Sequence, residues 1–252
     1  MPSFFEQKGI DIGKAPFEVT VSELSSRHGG TFFRSSGILV SPETGTNMEG
    51  LFAAGDCSTM SAGISGAAVM GKVAGEEAAR HALAARRPRD LSEQEIATLR
   101  GAVLRPLQNP GGCTFSQFED EVRSVVTDYV GFYRDEPHMI EGLRRLKALR
   151  AREAEMSAAD HHGLMRVHEA RSIRAVAETM AASAIERRET RGGGAHTRAD
   201  YPARDDAAGL KMIIVELQGE DLRVSSVPTG ITPEDIRSTA ALGEASAHAH
   251  SD

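Results

Sequence analysis

Between Gly50 and Ala82 the chain reads GLFAAGDCSTMSAGISGAAVMGKVAGEEAARHA: a short apolar run, a sharp turn and a glycine-lined helix. Gly55-Asp56 places a carboxylate just past the end of the apolar run, where ligands sit in open α/β sheets, and Asp56 can accept hydrogen bonds from sugar hydroxyls. Gly63, Ile64, Ser65 and Gly66 open the helix. Their N–H groups lack intrahelical acceptors and, with the positive end of the helix dipole, would face negative charge on a ligand. Gly71 and Gly75, four apart on one helical face, permit close approach of a neighbouring backbone. A tightly packed β-turn-α unit without a ligand uses the same residue types, so these features alone leave both readings open.

Other reactive side chains are less organised. His161, His162 and His168 have no acidic or thiol partner at ligand spacing, which reads as a polar helix entrance, and no metal site is expected. Cys57, beside Asp56, reads as a small buried thiol in a tight turn. Cys57 and Cys113 are far apart and outside any CxxC, so neither a disulfide framework nor a zinc site is expected, and a reducing cytoplasm is the default. Ser58 and Ser65 lack a histidine and acid arranged for nucleophilic catalysis.

The elements that must position these groups follow from pattern. With 40% hydrophobic and 26% charged residues in 252, the chain has an ordinary globular composition. A net charge of −7 argues against nucleic-acid binding, and the basic residues between Arg144 and Arg152 read as the wet face of a helix. There is no leader at Met1 and no apolar run of about 18 residues, so neither secretion nor direct membrane insertion is expected.

FEVTV (17–21), TFF (31–33), GILV (37–40) and LFAA (51–54) read as sheet pieces between turn residues. The polar, proline-containing ARRPRDLSEQE marks a boundary. Ser92 with Glu95 and Thr114 with Gln117 have capping-box spacing, so a helix starts at each. Phe118, Val122, Val125, Val126 and Tyr129 share one helical face, and Leu164, Val167, Ile173, Val176, Met180 and Ala184 share another. LKMIIVEL and LRVSSV read as a hairpin around Gly219, and the closing GEASAHAHSD reads as a polar tail that stays disordered. The expected fold is therefore α/β plus all-α. Residues 1–88 form an α/β domain, 89–210 a helical bundle, 211–230 a β-hairpin and 231–252 a disordered tail.

GILVSPETGTNMEGLFAAGDCS…GISGAAVMGKVAGEEAA resembles the C-terminal part of the FAD-binding, Rossmann-like domain of the fumarate reductase, succinate dehydrogenase, aspartate oxidase and adenylylsulfate reductase flavoproteins. RRETRGGGAHTRADYPARDD (187–206) resembles the family's C-terminal helical-domain motif, with a three-glycine turn where the family more often has a shorter one. The resemblance implies an FAD-dependent oxidoreductase. It makes Asp56 the acid on the flavin's ribityl hydroxyls, with Gly55 in its turn, and sets the Gly63-Ile64-Ser65 backbone against the pyrimidine side of the isoalloxazine. Donors there would stabilise the charge a reduced flavin accumulates. Arg191, His196, Arg198, Asp205 and Asp206 are implied to dock the helical domain on the flavin domain. The catalytic group stays unassigned, with His28, Arg191, His196 and Arg198 as candidates.

Two departures shape the expectation. No GxGxxG turn, the family's pyrophosphate cradle, occurs in the sequence, so the chain resembles the C-terminal half of a larger flavoprotein. Its implied partners are an N-terminal FAD-binding half or subunit and an iron–sulfur subunit. A cofactor-free interaction subunit and a truncated fragment are the alternatives. Second, the family's proton-donating arginine has no counterpart between Asp56 and Gly71, and Ser25 stands at the usual offset of the substrate histidine before Gly29-Gly30, with His28 displaced. Fumarate turnover is not expected.

Overall fold

The computed structural model describes residues 36–59, 63–85, 90–191 and 196–230. FEVTV, TFF, Ser25, His28, Gly29-Gly30, the three glycines 192–194 and the 231–252 tail lie outside them. The chain divides into two compact units on either side of the His81–Ala82 junction.

In the first unit, α1 (Gly63–Ala84) is the one long element among the described residues. GILV and LFAA do not form strands. Each makes a single bridge, Ile38 parallel to Ser58 and Phe52 antiparallel to Gly45. A strand needs a ladder of partners along its edge, and here Ile38, Leu39 and Leu51 are exposed instead. No residue of α1 is fully buried. Gly71 and Gly75 face open space among the described residues.

The second unit is a helical bundle carrying a hairpin. Its helices are α2 (Glu93–Leu104), α3 (Phe115–Tyr129), α4 (Glu136–Arg152) and α5 (His161–Glu186). Both expected capping boxes are present: Ser92 and Thr114 accept from the N–H groups of Glu95 and Gln117, whose side chains accept from the capping residues in return. Asp135 and Asp160 cap α4 and α5 by accepting from His138 N (3.0 Å) and Gly163 N (2.7 Å). The core joins Phe118, Val122 and Val130 to Leu146 and Leu149 and to Met156, Val167, Ala170, Ala177 and Ala181. Gly142 lets α4 approach α3, since a Cβ there would stand 2.7 Å from Tyr129 Cβ.

The buried face of α5 differs from the expected one. Leu164, Val167 and Ala184 are inside, but Val176 is 65% exposed and Met180 also faces water. The stripe instead runs through Ala170, Arg174, Ala177 and Ala181. Small alanines allow close helix contact, and two charged residues, Arg174 and Glu178, take the remaining inward positions as an ion pair.

Strands β1 (Tyr133–Arg134) and β2 (Thr197–Arg198) pair in parallel, a contact with no sequence signal. After a single turn of helix, α6 (Asp206–Gly209), come β3 (Lys211–Gln218) and β4 (Asp221–Pro228). They form the expected hairpin, in register from Lys211–Pro228 to Gln218–Asp221, with Gly219 at φ 64° in the two-residue turn. The hairpin lies on α5.

Candidate functional site

The first candidate is the turn before α1. Ile38 N donates to Cys57 O (2.8 Å) and Thr59 N to Ile38 O (3.0 Å), which pins both sides of the turn. A Cβ at Gly37 would stand 2.6 Å from Cys57 O, so this close pairing needs glycine there. The chain then makes a 3-10 turn, Gly55–Cys57. Gly55 takes φ 74°, is buried, and lies so near α1 that a Cβ would be 3.3 Å from Ala67 Cβ. Ser58 is buried, and its hydroxyl donates to Gly55 O (2.9 Å). Asp56 is thereby held at an exposed tip, and the start of α1 at Gly63, Ile64 and Ser65 is exposed as well. Ile64 is 92% exposed. Cys57 is also exposed, contrary to expectation; its thiol donates to Ala54 O (3.2 Å), and Ser58 takes the inward place instead. The contact of Gly55 with Ala67 ties the turn that carries Asp56 to α1.

The second candidate is the 187–206 segment of the other unit. Arg198 is fully buried. Its guanidinium forks onto Asp200 (2.8 and 2.7 Å), and Nη1 donates to the carbonyls of Ala184, Ile185 and Arg187 at the end of α5. It thus caps a helix whose last carbonyls have no intrahelical donors. The ring of Tyr201 covers it, 5.0 Å away. Glu189 is a second hub. It accepts from Arg187 (2.7 Å), from Arg191 (2.7 and 2.8 Å) and from Asp205 N (2.9 Å). Burial raises its pKa, and these hydrogen bonds more than offset that, leaving it below the usual carboxylate value. Arg191 also pairs with Asp206 (2.8 Å), and Asp205 caps α6.

His196 joins this network as a linker. Arg134 Nη1 lies 2.7 Å from Nδ1 and the Arg187 carbonyl 3.0 Å from Nε2, so the neutral ring accepts from the first and donates to the second. Arg191 and His196 close the loop with two backbone hydrogen bonds. Burial, reinforced by the charges of Arg134, Arg187 and Arg198 and opposed by the Arg187 hydrogen bond, pushes the pKa of His196 down to about 4. The folded state therefore binds fewer protons here than the unfolded chain, whose histidine titrates near ~6.5. The stability this histidine confers is complete above that value and falls away as pH drops toward 4. Denaturation midpoints at pH 7 and pH 5 should diverge in the native chain and converge in His196→Gln, whose amide can accept and donate without titrating. An equal divergence in the variant would assign the acid sensitivity to other groups.

Gly55, Asp56, Gly63, Ile64 and Ser65 all lie in one unit, while Arg191, His196, Arg198, Asp205 and Asp206 lie in the other, where hydrogen bonds link Arg191 to His196, Asp205 and Asp206. Sequence reasoning missed Arg134, Glu189 and Asp200. The only sequence signals were the Arg-x-Asp of 198–200 and the flanking of Glu189 by arginines two residues away on either side. His161 and His162 open α5 behind the Asp160 cap, and His168 Nε2 lies 3.2 Å from Val103 O.

Residues 119–240 match the family model of the fumarate reductase flavoprotein C-terminal domain. Just under half of the chain thus carries this family's C-terminal domain. The chain is 33% identical over 196 residues to the fumarate reductase flavoprotein subunit of Haemophilus influenzae, covering 71% of this chain and 32% of that protein. It is 30% identical over 209 residues to the succinate dehydrogenase flavoprotein subunit of Coxiella burnetii, covering 74% and 34%. The solved E. coli quinol fumarate reductase superposes at a TM-score of 0.65 with 27% identity, over 78% of this chain and 36% of that one. The chain therefore spans about a third of the length of the flavoproteins it matches. Among the described residues no helix is long and apolar enough to cross a membrane.

Proposed function

We propose that this chain is the C-terminal part of an FAD-dependent oxidoreductase of the fumarate reductase and succinate dehydrogenase type, acting on an unassigned substrate. The observation that carries the reading is the seating of Gly55 against Ala67 of α1, which ties the turn bearing the exposed Asp56 to that helix. On this reading Asp56 accepts from the ribityl hydroxyls, and the N–H groups of Gly63, Ile64 and Ser65 face the pyrimidine edge of the flavin. FAD, when bound, supplies the electron-carrying chemistry. The chain's own part is to orient the ribityl chain and, through helix-start donors, to favour negative charge at the ring edge. Ala67 packs beneath Gly55, which fixes the turn that carries Asp56.

These residues are half of a site, because no GxGxxG cradle for the pyrophosphate occurs in the sequence. The partner we propose is an N-terminal FAD-binding half, with an iron–sulfur subunit beyond it. The single bridges at Ile38 and Phe52 are then corners of a Rossmann-like sheet whose other strands that half supplies. The Arg198 and Glu189 hubs brace the helical unit. The absence of arginine between Asp56 and Gly71 argues for poor fumarate turnover.

Purified alone, the chain should lose FAD on gel filtration, and a yellow, stoichiometrically loaded peak would overturn the half-site reading. Reconstituted with an N-terminal half, Asp56→Ala should weaken FAD roughly tenfold or more, since charge-assisted hydrogen bonds are lost. Asp56→Asn, which keeps one acceptor, should weaken it less. If Asp56 serves the turn alone, both variants will lower the melting temperature and leave flavin affinity unaltered.

A further inference from the structure

Arg134 differs from the ion-paired arginines around it. Its Nε donates to the carbonyls of Gly131 (2.7 Å) and Val130 (3.3 Å), and Nη1 faces His196 Nδ1. All three partners are neutral, and among the described residues no carboxylate pairs with this half-buried guanidinium. Burial first, and then the charge of Arg198, hold its pKa below the usual arginine value. Neighbouring Arg198 and Arg191 are shifted the opposite way, because each has a carboxylate partner. A cation drawn partly out of water among neutral acceptors gains more from an incoming anion than an exposed one does.

The position is also fixed and flanked. Arg134 is paired with Arg198 between β1 and β2, and its carbonyl accepts from Ala199 N at 2.7 Å. The two residues before it, Phe132 and Tyr133, are 57% and 86% exposed. Aromatic rings beside an arginine are the residue types that anchor protein–protein interfaces.

We propose that the Phe132–Arg134 edge docks a segment of a partner protein that presents one carboxylate flanked by apolar side chains. The carboxylate completes the charge of Arg134, while the rings cover the apolar flanks. The aromatic pair is what selects a polypeptide over a small anion, because a free carboxylate would neutralise Arg134 and leave both rings in water. Every residue used lies in the helical unit, so the proposal stands independently of the flavin reading.

The test uses the full chain and two capped tripeptides, Leu-Glu-Leu and Leu-Gln-Leu, with acetate as the small-anion control at matched ionic strength. The Arg134 Nε–H resonance should move saturably with Leu-Glu-Leu, and binding of Leu-Gln-Leu should be roughly tenfold weaker or worse, as expected for loss of a charge-assisted hydrogen bond. Arg134→Gln, followed at the backbone amides of Phe132 and Tyr133 because the Nε–H reporter is gone, should abolish the peptide response, and Phe132→Ser with Tyr133→Ser should weaken it severalfold while the chain stays folded. If Arg134→Gln fails to fold, the peptide pair and the ring variant still decide. Equal response to Leu-Gln-Leu, no saturable response, or indifference to the ring variant would overturn the proposal. Acetate binding as tight as Leu-Glu-Leu would also overturn it, in favour of a small-anion site.

Discussion

Glu178→Ala is expected to remove about 3–5 kcal/mol of stability, the usual consequence of leaving buried charge uncompensated. Glu178 is 1% exposed and sits between α4 and α5, accepting from Arg150 (2.9 and 3.1 Å) and from Arg174. Arg174 is itself buried, and Glu153 is its other anionic partner. Deleting the carboxylate therefore leaves a cation inside a helix interface with half its neutralisation. Against a typical total of about 5–15 kcal/mol, this is a large share. Glu178→Gln keeps an acceptor and should lose less. A combined replacement of Arg150, Arg174, Glu153 and Glu178 by apolar residues of similar volume should recover much of the loss, because desolvating the ions costs nearly what their attraction returns. Urea denaturation of the three variants decides the point. A loss below about 1 kcal/mol in Glu178→Ala would place the network among ordinary surface ion pairs.

Arg198→Ala is expected to cost ~1–3 kcal/mol, the usual penalty for buried hydrogen-bonding groups left without a partner. It uncaps three carbonyls at the end of α5 and releases the exposed Asp200, whose carboxyl the Arg198 guanidinium holds down at about 2. Arg198→Lys retains the charge but not the two-pronged donor, so it should recover only part of the loss. If lysine restores full stability, the planar fork is not what the site requires. A spectroscopic melt followed at Tyr201, which stacks on Arg198, would report the local loss directly.

The parts of this fold that were legible in sequence are those set by short-range chemistry. The capping boxes at Ser92 and Thr114 need two residues three apart and nothing else, and the 211–228 hairpin declares itself through Gly219 between two β-branched runs. The buried stripe of α5 was only half legible, because hydrophobic periodicity counts Val176 and Met180 as core and overlooks Arg174 and Glu178, which enter the interior as a neutral pair. GILV and LFAA have strand composition, yet strands exist through partners, and the described residues supply one bridge each. At the candidate flavin turn, residue order alone put Asp56 and Gly63 near one another, whereas the fixing contact of Gly55 on Ala67 is tertiary. The setting of His196 between Arg134 and the Arg187 carbonyl spans 62 residues of sequence and had no local signal.

Helix α5 has 26 residues, about 39 Å of rod at 1.5 Å per residue, and α3, α4 and both strands of the hairpin lean on it. A scaffold in which two helices and both strands of a hairpin rest on one strut has few ways to come apart gradually. Amide hydrogens of the hairpin, which as an isolated two-stranded ribbon would exchange quickly, should instead exchange at the rate of the bundle's global opening. The consequence is that the helical unit opens as one: a lesion in the last third of α5, at Glu178 or at the Arg198 cap, is felt at its first turn as the same loss of protection.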